Sequence, residues 1–154
     1  SHDNKSFIEY TDMMFSEREK AHLEEKSIKL ADDTIVPREN WDQYRWGILT
    51  DKAKFMAASF TELFTSPAKK VQIFFTDFFG IGETYNTPGK ENGCWSLRLP
   101  ENFESLYYKN LQKGTAINLP EVIARAIRNR GEDFENNNKE LLKDLDTFTR
   151  ILKS

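Results

Sequence analysis

Lys70–Phe75, KVQIFF, is the stretch on which the fold turns. Val71, Ile73 and Phe75 alternate with Gln72 and Phe74, and this period of two predicts a strand buried on at least one face. No other segment of the chain carries so strong a strand signal. A single strand leaves its own backbone N–H and C=O groups without partners. It therefore pairs with the short apolar piece CWSLRL, Cys94–Leu99, or its neighbours come from outside this chain.

The segments on either side read as helices. Ser6-Phe7-Ile8-Glu9 has the capping-box pattern and opens a helix running to about Leu23, with Phe7, Tyr10, Met14 and Ala21 on one stripe. LADDTIVPREN reads as a connector, since Asp32-Asp33 favour a turn and Pro37 ends any helix arriving there. A second helix is expected after Asn40, with Trp41, Tyr44 and Ile48 on one side. A third, or its continuation, carries Phe55, Phe60, Leu63 and Phe64 and stops at Ser66-Pro67. Beyond Pro100 the pattern predicts helices over Phe103–Leu111, over Pro120–Arg130 with Asn118 as cap and Gly131 as stop, and over roughly Asn138–Leu152. In the last of these Leu141, Leu145, Phe148 and Leu152 share a face.

The 154 residues fit one domain, and 38% hydrophobic with 31% charged residues describes an ordered chain. A net charge of -3 leaves no basic footprint, so no nucleic-acid partner is expected. The one cysteine, Cys94, excludes an internal disulfide and favours a reducing compartment, the cytoplasm. No apolar run is long enough for a membrane span, and SHDNKSF lacks the build of a signal peptide. Since the first motif stands at the second residue, the chain is expected to be part of a longer protein.

Two separated motifs then bear on function. Ser66–Pro100 reads SPAKKVQIFFTDFFGIGETYNTPGKENGCWSLRLP, and the chain opens with SHDN, Ser1–Asn4. In the first, Asp77, Gly80, Asn86, Pro88, Gly89, Trp95 and Arg98 follow the order and spacing of the last barrel strand and following loop of 4-α-glucanotransferases of the amylomaltase, or disproportionating enzyme, type. The second resembles the Thr-His-Asp-Asn segment of the same family. Both occur in the family's order.

The resemblance implies a retaining transfer of α-1,4-glucan segments between maltooligosaccharides, with a carboxylate nucleophile and a second carboxylic acid as acid/base. Those two groups would lie before residue 1, so this chain alone is expected to be inactive. Asp3 would be the family's third carboxylate, favouring the distorted, oxocarbenium-like sugar, and His2 would donate a hydrogen bond to the same ring. Asp77 and Asn86 would be hydrogen-bonding groups near the glucan. Trp95 either stacks on a sugar face or fills the core, and Arg98 is read as a structural ion-pair partner. No cofactor is implied.

The remaining acidic groups, Glu24-Glu25 and Asp32-Asp33, read as solvated charges at helix ends and turns. His22 has no second histidine at a ligand spacing, so no metal site is expected.

The expected fold is α/β: a mostly helical C-terminal fragment of a (β/α)8 barrel carrying its last strand and active-site loop. Residues 1–65 would be helical, 66–100 would form the strand and loop, and 101–154 a helical tail. Separation from its barrel would uncover Ile73, Phe74, Phe75 and Phe78. The partners implied are α-1,4-glucans and the rest of the catalytic barrel. The alternatives are a non-catalytic carbohydrate-binding module and a helical protein-interaction module.

Overall fold

The computed structural model describes residues 6–82 and 98–154. Among them the chain forms helices α1 (Phe7–Met14), α2 (Lys20–Asp32), α3 (Trp41–Thr50), α4 (Lys52–Thr65), α5 (Phe75–Phe79), α6 (Phe103–Lys113), α7 (Leu119–Asn129), α8 (Glu132–Asn137) and α9 (Lys139–Lys153). There is no strand among the described residues, which overturns the α/β expectation: this is a small all-helical domain rather than a barrel fragment carrying a strand.

The correction has a local cause. Phe74 is extended, at φ -74° and ψ 145°, and then caps a helix. Asp77 and Phe78 both return their N–H groups to the Phe74 carbonyl at 3.1 Å. The backbone from Phe75 onward thus satisfies itself within one short helix and needs no ladder partner. Gly80 closes that helix in the left-handed region at φ 73°. Ile73 packs on Phe60, Ile117 and Val122 between α4 and α7 instead of facing a neighbouring strand. Ile73, Phe74, Phe75 and Phe78 are all partly buried. The proposed pairing partner, Cys94–Leu99, lies largely outside the described residues.

Local side-chain caps set the starts of α1, α4 and α7. Ser6 accepts the Glu9 N–H at 3.3 Å, Asp51 accepts from Ala53 and Lys54, and Asn118 accepts from Glu121. The first helix is shorter than expected, because a 3-10 turn at Glu17–Glu19 breaks it before α2 begins. α2 then carries the chain to Asp32, well into the stretch read as connector.

The main core lies among α1–α4, where Met14, Leu23, Leu30, Ile48, Phe55 and Met56 are buried. Phe55 is its centre, fully buried and ringed by Phe7, Tyr10 and Phe15 at centroid distances of 6.2, 6.4 and 5.7 Å. α7 joins this bundle to the C-terminal helices, with Ala124 and Ile127 packed on Leu142 of α9. The buried stripe of α9 runs through Leu142 and Leu145, so Leu141 and Phe148 face out, rotated from the expected face. Apolar pairs at 141–142 and 151–152 fit either rotation, and packing on α7 selects one.

Candidate functional site

Of the residues the resemblance places at the sugar, Asp77 falls within the described part; Asp3, His2, Asn86 and Trp95 lie outside it. Asp77 stands in the first turn of α5 and is half-buried. Its Oδ1 accepts the backbone N–H of Phe7 at 2.8 Å, a contact spanning 70 residues of sequence. Phe7 is the first residue of α1, so Asp77 caps a helix on a distant segment. Ser6 and Asp77 together satisfy N–H groups that the α1 backbone cannot satisfy itself, and the carboxylate meets the positive end of the helix dipole. Burial pushes the Asp77 carboxyl above its ordinary value, and the hydrogen bond from Phe7 partly offsets this.

The turn after α5 is fixed against the α6–α7 connection. Ile81 donates its N–H to the Thr76 carbonyl at 2.7 Å, and Ile117 donates to Phe78 at 3.1 Å. The Asn110 side chain, buried in α6, donates Nδ2–H to the Phe79 carbonyl at 2.8 Å. A Cβ on Gly80 would come within 2.7 Å of the Thr115 backbone, so the close approach and the positive φ both require glycine there.

Aromatic rings fill the angle between α5 and α6. Phe78 stacks on Tyr107 at 5.0 Å with an interplanar angle of 9°, and Phe79 meets Phe103 and Tyr107 edge-on at 6.1 and 5.5 Å. The Tyr107 hydroxyl donates to the Ile117 carbonyl at 2.8 Å, and burial pushes its phenol up to about 12. Tyr107, Asn110 and the remote partner of Asp77 were not singled out from the sequence. Phe103, Tyr107 and Asn110 do share one face of α6, a spacing that marks an inward stripe without naming its partner.

Comparison with protein-family models, curated proteins and solved structures finds no match to this chain. What the site can do therefore rests on its own residues. One oxygen of Asp77 is occupied by a backbone donor, which makes this carboxylate a clamp between two segments before it is anything else. Among the described residues, no three His, Cys, Asp or Glu side chains gather as a metal ion would need. No helix among them is long and apolar enough to cross a membrane.

Proposed function

We propose that the chain is the C-terminal portion of a 4-α-glucanotransferase of the amylomaltase type, acting on α-1,4-glucans with other parts of the same enzyme. The observation that carries this reading is the hydrogen bond from Phe7 N–H to Asp77 Oδ1. Two residues separate Phe7 from the SHDN motif, and Asp77 is the second residue of the TDFFGIG run that leads into the NTPG and Trp-x-x-Arg motifs. Segments whose motifs resemble one family are tied together at the residues that border them.

In this reading Asp3 stabilises the positive charge that develops on the reacting glucose, and His2 donates to a hydroxyl of the same ring. Asn86 and Trp95 contact the glucan. Asp77 acts as a positioning residue through α1, holding the backbone that leads from Asp3. In this reading the nucleophile and the acid/base come from residues preceding Ser1, and the lone Cys94 fits a cytoplasmic setting.

The test is the reading frame running into Ser1, followed by kinetics on its product. The frame should encode an Asp and a Glu able to serve as nucleophile and acid/base; a frame without them overturns the proposal. In the protein so defined, Asp3→Asn should lower kcat for transfer between maltotriose molecules by roughly 100- to 1,000-fold, with a much smaller change in KM.

A second reading, a helical protein-interaction module, is favoured by one surface. Leu141, Phe148 and Ile151 line the outer side of α9 at 48%, 55% and 54% exposure. Light scattering over a concentration range separates the two: reversible self-association abolished by Phe148→Asp supports it, and a concentration-independent monomer removes this support.

A further inference from the structure

A cleft of about 380 Å³ opens where α4, the end of α6, the start of α7 and the end of α9 meet. Its room comes from small side chains: Ala57 of α4 and Ala116 of the α6–α7 connection stand where a larger residue would fill it. Met56, Ile117 and Val122 contribute apolar walls and are themselves buried. Asp77 does not line it, so the cleft is separate from the site described above. A cavity between helices at the lower end of the range of about 300–1,000 Å³ suits a small ligand with an apolar body and few polar groups.

The charged groups on its walls are Glu121 of α7 and Lys153 of α9. Lys153 Nζ donates to Glu121 Oε1 at 2.9 Å, and the same oxygen accepts from Arg125 Nη2, also at 2.9 Å. Neither cation is paired with a second carboxylate among the described residues. Two cations thus share one carboxylate, and one unit of positive charge is left over. The Glu121 side chain is 17% exposed and that of Lys153 58% exposed, so it is the lysine that can turn toward a ligand while Arg125 keeps Glu121 neutralised. A carboxylate head group matches this arrangement, because it accepts from Lys153 in place of Glu121 and leaves no charge unpaired.

We propose that this cleft binds a small monocarboxylate with an unbranched apolar tail, the tail lying against Met56, Ile117 and Val122 and the carboxylate on Lys153. Burial of the tail supplies the affinity, and the leftover positive charge selects the head group. The contact with Lys153 stands at an exposed rim, so its contribution is modest and falls with added salt.

Sodium octanoate and octan-1-ol, titrated separately into the 154-residue chain at neutral pH and low salt and followed by backbone amide shifts, test the tail and the head group apart. Both should give saturable shifts at Ala57, Ala116 and Val122, with octanoate binding about two- to fivefold more tightly, as an exposed ion pair allows. Lys153→Gln should remove that preference and leave octanol binding unchanged. Glu121→Gln, which releases Lys153 from its carboxylate, should instead tighten octanoate. Ala57→Leu fills the cleft and should weaken both ligands at least about tenfold; if that variant does not fold, Ala116→Leu fills it from the other wall with the same expected result. Absence of saturable shifts at the cleft overturns the proposal, as does octanol binding as tightly as octanoate, a Lys153→Gln chain that keeps the preference, or a folded cleft-filling variant that binds as before.

Discussion

The core around Phe55 and the turn around Gly80 are held by different physics. In the α1–α4 core, stability comes from removing apolar side chains from water, with many contacts of low direction: Met14, Leu30, Ile48 and Phe55 are almost wholly buried and no single polar contact fixes them. Around α5 the chain is held by a few directional contacts, among them Asp77 to Phe7, Asn110 to Phe79, Ile117 to Phe78 and Tyr107 to Ile117. A nonspecific core tolerates rearrangement but is sensitive to lost volume. A directional turn is sensitive to one missing donor or acceptor, and to one carbon added where backbones approach closely. The candidate site lies beside the second kind of structure.

The sharpest contrast comes from volume. Phe55→Ala empties the centre of the bundle and should cost about 3–5 kcal/mol by urea denaturation, enough to unfold a marginal domain at ambient temperature. If the loss is under about 1 kcal/mol, the α1–α4 core is not the stabilising unit.

Next in size is Gly80→Ala, which adds a single carbon. The left-handed backbone costs an alanine roughly 1–2 kcal/mol, and the Cβ would also press on the Thr115 carbonyl group. The expected loss is at least about 2 kcal/mol, accompanied by altered amide shifts at Thr115–Ile117. A neutral Gly80→Ala would mean that the turn is not docked on the α6–α7 connection.

Legibility from sequence follows the same division. Ser6 and Asn118 were readable as caps because a cap and its partner are neighbours in the chain. The α7 and α9 helices were readable because their periodic stretches are long, although the choice between Leu141 and Leu142 as the inward residue needed α7 in view. KVQIFF was misread because two alternating residues of an extended lead-in look like the start of a strand, and the five residues of α5 are too few to display a helical period. Sequence places Asp77 near the glucan by resemblance; that its Oδ1 also accepts a backbone N–H 70 residues away is not legible there. No spacing rule reaches that far. For His2, Asp3, Asn86 and Trp95 the motif order remains the whole of the support.

Asp77 itself gives a smaller and more diagnostic effect. Asp77→Ala removes the acceptor for the Phe7 N–H and should cost about 1–2 kcal/mol, in the range of lost helix caps. Asp77→Asn keeps an oxygen at that position without the burial of charge, and should fall within about 0.5 kcal/mol of the unsubstituted chain. Equal losses in the two variants would show that charge rather than hydrogen bonding is what α1 requires.

The smallest effect concerns Tyr107 and carries its own pH signature. Removing the hydroxyl in Tyr107→Phe leaves the stack on Phe78 intact but deletes the donor to the Ile117 carbonyl, which should cost about 1 kcal/mol at neutral pH. The phenol is raised from 10.0 to about 12 by burial, with the neighbouring Tyr108 adding to the shift. Because the folded value lies above the unfolded one, the stability linked to this group is complete below pH 10.0 and is lost as pH climbs toward about 12, where the ionised oxygen can no longer donate. Urea denaturation repeated at alkaline pH should therefore show the difference between the unsubstituted chain and Tyr107→Phe shrinking over that interval. A difference that stays constant would place the hydroxyl in water rather than against Ile117, and would leave the α5 turn held by Asp77, Asn110 and the Ile117 N–H without it.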